Sequence, residues 1–188
     1  MSITLVTGGA RSGKSSYAEK ICSAYGKPMV YIACGKITDA EMEDRIKKHQ
    51  ERRASNWKTV EKYRDFAQMK DQDYFCENDI FLLDCVTTMA TNLMFDAGID
   101  YDTCSMEEMN QVEKDVLEQF SELLDVVKKG HKTLVLVSNE VGSGVVPSYR
   151  MGRFFRDLAG RINQYLAQKA DEVVWMVSGI PVRIKEGK

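Results

Sequence analysis

Gly8-Gly9-Ala10-Arg11-Ser12-Gly13-Lys14-Ser15 is the stretch from which the rest of the chain can be read. It satisfies G-x-x-x-x-G-K-[ST] at every fixed position, and the apolar run Ile3-Thr4-Leu5-Val6 leads into it. Ser16-Tyr17-Ala18-Glu19-Lys20-Ile21 then continues with a helical pattern. Strand, glycine turn and helix in that order form the setting in which this motif binds phosphate. The glycines let backbone N–H groups converge into an anion nest, and the new helix aims its positive end at the same point. In that reading Lys14 reaches the β- and γ-phosphates and the Ser15 hydroxyl holds Mg²⁺. The competing reading is a turn that merely joins strand to helix. At average residue usage a chance match arises on the order of once in a hundred chains of this length.

Outward from the loop, strand-like apolar runs recur at 3–7, 29–33, 80–84, 133–138 and 172–177, with helical patterns between most of them. Such alternation implies an α/β fold with a mainly parallel sheet and helices on both faces. The last run passes through Ser178-Gly179-Ile180-Pro181 into Val182-Arg183-Ile184-Lys185. So short a link permits only an antiparallel return, which predicts a C-terminal hairpin at the sheet edge. Besides the helical patterns at 16–21 and 86–97, three longer helices are expected, over 39–53, about 106–129 and roughly 148–169. The second carries Met109, Val112, Val116, Phe120, Leu123 and Val127 on one face and charge on the other, which reads as scaffold.

The 188 residues suit a single domain spanning the whole chain. Hydrophobic residues at 44%, charged residues at 29% and a net charge of −2 describe an ordinary globular protein without a general attraction to nucleic acid or anionic membrane. No apolar run is long enough to span a bilayer, and the chain enters strand and loop too early for a signal peptide, so a cytoplasmic location is expected. Cys22, Cys34, Cys76, Cys85 and Cys104 are odd in number and form no C-x-x-C, which fits reduced thiols. With His49 and His131 as the only histidines, a His/Cys zinc site is not expected, and His131 reads as a turn residue.

Several residues outside the loop have the chemistry for a role. Asp84 ends the run Ile80-Phe81-Leu82-Leu83, where an acid of a P-loop protein holds Mg²⁺ through its water shell; it also precedes a helical stretch at 86–97 and would serve as a cap there. His49 stands among Arg45, Lys47, Lys48, Arg52 and Arg53. Those charges disfavour the imidazolium, keeping a neutral nitrogen available as nucleophile or base, and attract phosphate. The alternative is a structural histidine on a solvated basic face. Glu61 follows the short possible strand Trp57-Lys58-Thr59-Val60 and reads equally as ligand or surface acid. Ser138-Asn139-Glu140-Val141-Gly142-Ser143-Gly144-Val145-Val146-Pro147 leaves a strand end through a glycine-rich loop, a position suited to substrate binding or to a lid. Beyond it come Arg150, Arg153, Arg156 and Arg161, some of them expected to pair with Asp157 or with a neighbouring subunit.

More specific patterns accompany the loop. LVTGGARSGKS at 5–15, YIA at 31–33 and D-x-E-M-x-x-R-I-x-x-H-x-x-x-R at 39–53 come in order, then W-x-T-V-E at 57–61 and DCVTTMATNL at 84–93. SNEVGSGVVP at 138–147 and RFFRDLAGRINQYLAQKADEVVWMVSGIPVRIK at 153–185 complete the series. Together they closely resemble the bifunctional adenosylcobinamide kinase/adenosylcobinamide-phosphate guanylyltransferase family of cobalamin biosynthesis. The resemblance implies a RecA-like P-loop fold, a homotrimer and two successive reactions. In the first, the γ-phosphate of ATP or GTP passes to the aminopropanol hydroxyl of adenosylcobinamide. In the second, GTP loses pyrophosphate to a histidine, and the phosphorylated cobinamide displaces that GMP.

Carried over by motif position, the guanylylated residue is His49, with Lys14 catalytic beside it. The nucleotide-contacting set is Gly8, Gly9, Ala10, Arg11, Ser12, Gly13, Lys14 and Ser15, then Ala33, Cys34 and Gly35, then Gln50, Glu51, Arg52 and Arg53, and lastly Glu61 and Asp84. Ser15 and Asp84 are the Mg²⁺ residues. The chain departs from the family pattern at Cys34, where a hydroxyl residue is usual after YIA, and at Met89, where many members carry tryptophan. Two rival readings stand beside this one. The first is a small-molecule kinase with His49 structural. The second is a regulatory or nucleic-acid-binding ATPase, disfavoured by the near-neutral charge and the lack of an aromatic-plus-basic stripe.

Overall fold

The computed structural model describes residues 1–35 and 57–187. Ile3–Gly8 forms the first strand (β1), and α1 (Lys14–Ser23) begins six residues after it ends. The next strands are β2 (Met29–Ala33), β3 (Trp57–Glu61) and β4 (Ile80–Asp84), followed by β5 (Thr133–Asn139), β6 (Glu172–Val177) and β7 (Ile180–Lys185). All seven lie in one sheet of order β3-β2-β4-β5-β1-β6-β7. Every neighbouring pair is parallel except the last, β6 with β7. The expected parallel α/β architecture and C-terminal hairpin are both present. The two residues turning that hairpin, Ser178 and Gly179, have φ of 51° and 83°, as a tight turn matched to strand twist requires.

The central strands are buried on both faces, so they read as continuous apolar runs. Val6, Tyr31, Leu82, Val135 and Val137 pack on one side against Ala18 and Cys22 of α1. Leu5, Ile32, Leu83, Leu134 and Leu136 pack on the other. That second face is covered by α3 (Val86–Asp96), α4 (Met106–Lys129) and α5 (Arg150–Lys169). Between β3 and β4 run a 3₁₀ segment (Phe66–Asp71) and the short helix α2 (Asp73–Glu77).

Helix α4 matches its predicted limits because both ends carry local signals. Ser105 and Glu108 form a reciprocal capping box, and Lys128 and Lys129 close the last turn. Its apolar face, Met109 through Val127, is buried as its period requires. Helix α5 starts at Arg150, two residues later than expected. Of its arginines, Arg156 pairs with Asp157 at 3.4 Å and Arg161 with Glu113 at 3.0 Å. Arg150 and Arg153 instead donate to carbonyl oxygens, of Cys104 and Ser148 respectively, each at 2.6 Å. His131 occupies a turn with φ of 53°. All five cysteines are free thiols. Among the described residues no helix is long and apolar enough to cross a membrane.

The expected helix over 39–53 lies outside the described residues, and with it His49, Gln50, Glu51, Arg52 and Arg53.

Candidate active site

The carboxyl ends of the parallel strands form one edge, and strand register shows which residues meet there. Gly8 is level with Asn139 of β5, Asp84 with Val137, and Ala33 with both Asp84 and Glu61. The loop between β1 and α1 rises from this edge. Its geometry explains its glycines. Gly13, at the cap of α1, has φ of 90°, a left-handed conformation that glycine adopts without steric cost. A Cβ at Gly8 would stand 2.5 Å from the Met176 carbonyl oxygen and 2.8 Å from Ser12 Oγ. Arg11 takes a left-handed φ of 56°.

Lys14 is the first residue of α1, yet the residue is only 7% exposed. Its Nζ donates to the Gly9 carbonyl at 2.6 Å. Burial lowers its pKa from the ordinary lysine value, and the neighbouring Cys85 and Asp84 oppose part of that shift. Lys14, Asp84 and Cys85 therefore share one electrostatic environment. The Ser12 hydroxyl is buried without a hydrogen-bond partner, as is that of Thr7. Two unsatisfied buried hydroxyls, one in the loop and one on the strand leading into it, leave polar capacity suited to anionic oxygens.

Asp84 stands two strands from the loop, because β5 lies between β4 and β1. That is one strand further than a direct neighbour. The Tyr31 hydroxyl donates to Asp84 Oδ2 at 3.0 Å, orienting the carboxylate. A serine hydroxyl and a carboxylate are hard oxygen donors, so Ser15 and Asp84 fit Mg²⁺ by ligand type. Cys34 follows β2 fully buried, its carbonyl accepting from Asn92 Nδ2 at 2.6 Å. Burial raises its thiol pKa well above the ordinary value, with Cys85 and Asp84 adding to the shift. Glu61 is exposed at the end of outermost β3. At the usual strand spacing it stands roughly 19 Å across the edge from β1, far from the loop and level with the opposite end of any ligand spanning it.

The sequence marks Ser138-Asn139 as the head of a segment suited to substrate binding or to a lid, but not the polar group it joins between these poles. Asn139 Nδ2 donates to Thr87 Oγ1 at 2.7 Å. Cys85 Sγ lies 3.2 Å from Thr87 Oγ1 and 3.0 Å from Thr88 Oγ1. Behind it, Ser138 Oγ donates to Asn163 Oδ1 at 2.5 Å, and Asn163 Nδ2 donates to the Asn139 carbonyl at 3.2 Å. The backbone of the glycine-rich segment joins the loop directly, Glu140 N–H donating to the Gly8 carbonyl at 2.9 Å. The sequence signal was Asn139 as a polar residue ending an apolar strand. Its partners, some 50 residues earlier, had no local signature.

A parallel sheet with this loop at the end of β1 and an oriented acid two strands away defines a P-loop nucleotide-binding protein of RecA-like architecture. The flagellar accessory protein FlaH from Methanocaldococcus jannaschii shares that fold, with a TM-score of 0.50 at 11% identity over 99% of this chain and 79% of its own. The chain belongs to the cobinamide kinase / cobinamide phosphate guanyltransferase family, which its residues 4–184 match. It is 44% identical to the bifunctional adenosylcobalamin biosynthesis protein CobU of Escherichia coli over 96% of this chain and 98% of that protein. The protein of the same name from Salmonella typhimurium is 42% identical over the same shares. The bifunctional adenosylcobalamin biosynthesis protein CobP of Pseudomonas aeruginosa is 33% identical over 96% of each chain.

Proposed function

We propose that this chain, acting as a single domain, phosphorylates adenosylcobinamide with ATP or GTP and then transfers GMP from GTP to the product. In the first step the aminopropanol hydroxyl oxygen attacks the γ-phosphorus and the nucleoside diphosphate departs. In the second, a neutral nitrogen of His49 attacks the α-phosphorus of GTP and pyrophosphate departs. An oxygen of the cobinamide phosphate then attacks the His49-bound phosphorus, giving adenosylcobinamide-GDP and free histidine. A covalent intermediate splits one difficult transfer into two easier ones.

The observation that carries this reading is the desolvated Lys14 beside Asp84 at the phosphate loop, in a chain matching the family from residue 4 to 184. Low local dielectric strengthens the attraction of an ammonium for phosphoryl oxygens as charge develops. Gly8, Gly9, Ala10, Arg11, Ser12 and Gly13 would cradle the phosphates. Ser15 and Asp84 would hold Mg²⁺, which supplies positive charge to the β- and γ-phosphates. Ala33, Cys34, Gly35, Gln50, Glu51, Arg52, Arg53 and Glu61 would complete the nucleotide contacts along the edge. The protein would work in the cytoplasm as a homotrimer. Support for self-association comes from the hairpin, where Trp175, Val177, Ile180, Val182 and Ile184 are all exposed.

The test is incubation with GTP labelled at the α-phosphate. The expected result is acid-labile, base-stable label on the protein with release of pyrophosphate, lost in His49→Ala. Label that persists in His49→Ala would reassign the nucleophile. A wild-type protein that transfers γ-phosphate but takes no α-label would be a kinase alone. Sedimentation equilibrium tests the trimer.

A further inference from the structure

We infer that Asn139 orients the hydroxyl that accepts the γ-phosphoryl group, and that Thr87 is the positioning residue that fixes the Asn139 amide for this task. The inference rests on the kinase step proposed above and assigns that step an acceptor-side residue.

Asn139 ends β5, the strand lodged between the P-loop strand and the Asp84 strand. On β5, Leu134 and Leu136 face the side of α3, α4 and α5, as does Ser138 through its bond to Asn163, whereas Val135 and Val137 face α1. Asn139 ends the strand, and its amide reaches over the sheet edge to Thr87 in the first turn of α3, with Cys85, which packs on the α1 side, beyond it. Asn139 is level with Gly8, where the loop begins. It therefore stands at the middle of the edge, with the phosphate cradle on one side and Asp84 on the other.

The residue is held from two directions. Asn163 fixes its backbone carbonyl, and Thr87 takes its amide N–H at 2.7 Å, with Cys85 Sγ beyond at 3.8 Å. With the NH₂ group committed to Thr87, Oδ1 is left as an acceptor without a hydrogen-bond partner among the described residues. An amide oxygen is too weak a base to remove a proton from an alcohol. It can accept the hydrogen of a hydroxyl and so aim the oxygen lone pair, a positioning task. The acceptor oxygen then bonds to the γ-phosphorus, and the bond from that phosphorus to the β,γ-bridging oxygen breaks with its electron pair leaving on the diphosphate. The hydroxyl proton passes to a phosphoryl oxygen and on to solvent.

The experiment measures γ-phosphoryl transfer to cobinamide, and separately the affinity for a non-hydrolysable triphosphate, in wild type, Asn139→Ala, Thr87→Val and Thr87→Ser. The expected result is a fall in kcat on the order of a hundredfold for Asn139→Ala with triphosphate affinity unchanged. Thr87→Val should move in the same direction and Thr87→Ser should restore the rate, because serine keeps the oxygen that takes the amide N–H. A loss of triphosphate affinity that accounts for the whole rate loss would make Asn139 a phosphate ligand and overturn the inference. So would wild-type turnover in Asn139→Ala. Should Asn139→Ala fail to fold, wild-type kcat in Thr87→Val would overturn the inference by itself. A wild-type protein that transfers no phosphate to cobinamide would instead overturn the kinase step on which the inference rests.

Discussion

The backbone N–H of Gly179 donates to the carbonyl oxygen of Ser12 at 3.1 Å, tying the turn of the C-terminal hairpin to the middle of the phosphate loop. Gly179 has φ of 83° and open space where a Cβ would stand. Gly179→Ala keeps the N–H donor and carries only the backbone cost of a left-handed L-residue, about 1–2 kcal/mol. Urea unfolding should show that loss with triphosphate affinity retained. Gly179→Pro removes the donor and forbids the angle. It should lower both stability and triphosphate affinity, and equal affinity in the two variants would show that the loop does not lean on the hairpin.

Lys14 gives the nucleotide site a pH dependence whose sign follows from its burial. Its pKa is lowered in the free protein, and bound phosphates would raise it again by stabilising the charged form. Below the free-protein pKa the ammonium is present before and after binding, and affinity is flat. Above it, binding must take up a proton, so affinity falls as pH rises through the lowered pKa until the higher pKa of the complex is reached. Calorimetry in buffers of different ionisation enthalpy should show proton uptake that grows as pH rises through the lowered pKa and that is absent in Lys14→Met. Uptake that persists in Lys14→Met would refute the assignment.

The five thiols should sort by environment. Cys76 is exposed and Cys85 half-buried, whereas Cys22, Cys34 and Cys104 are buried. Burial, with Glu19 adding, pushes the Cys22 thiol up to about 12, and Cys34 is raised well above its usual value. At pH 8 neither carries appreciable thiolate, and the thiolate is the reactive form. A native-state alkylation series read by mass spectrometry should label Cys76 first and Cys85 more slowly. Cys85 should be protected by bound triphosphate, and the other three should react only after denaturation. Early labelling of Cys34 would mean that the end of β2 opens far more readily than its burial implies.

The elements legible in the sequence are those whose signals are local. The loop is a contiguous motif, and the ends of α4 are written in Ser105, Glu108, Lys128 and Lys129. The hairpin follows from a link too short for a crossover. Strand order was not legible, because parallel neighbours are joined by long crossovers and no turn chemistry records that β5 separates β1 from β4. The 3₁₀ segment at 66–71 was missed for a related reason. Its first amides are taken by Gln119 and Glu122 of α4, with Asp65 N–H donating at 2.8 Å to the one and Ala67 N–H at 3.0 Å to the other. Those caps lie more than 50 residues away in sequence. At the site, Lys14 was visible in the loop motif and Asp84 and Asn139 as polar residues at strand ends, but the Tyr31 and Thr87 contacts that aim the last two exist only in the folded chain.

Adjacent glycines of the loop should tolerate substitution very differently. A Cβ at Gly8 would stand 2.5 Å from the Met176 carbonyl and 3.1 Å from Met176 Cβ, whereas a Cβ at Gly9 meets nothing within 4 Å. The Met176 carbonyl belongs to strand β6, paired with β1 on one side and β7 on the other, so it has no easy way to retreat. Gly8→Ala should therefore force the loop off β6 at a cost of about 1–3 kcal/mol, the usual range for overpacking. Because Glu140 N–H is anchored on the Gly8 carbonyl, the shift should reach the glycine-rich segment after β5 as well. Gly9→Ala should leave the unfolding midpoint nearly where it was. Lys14 Nζ rests on the Gly9 carbonyl, and a methyl group projecting into open space leaves that oxygen in place. Thermal unfolding and triphosphate titration of the two variants side by side check the contrast, and comparable losses in both would mean that neither the approach to β6 nor the φ of 154° at Gly8 sets its tolerance.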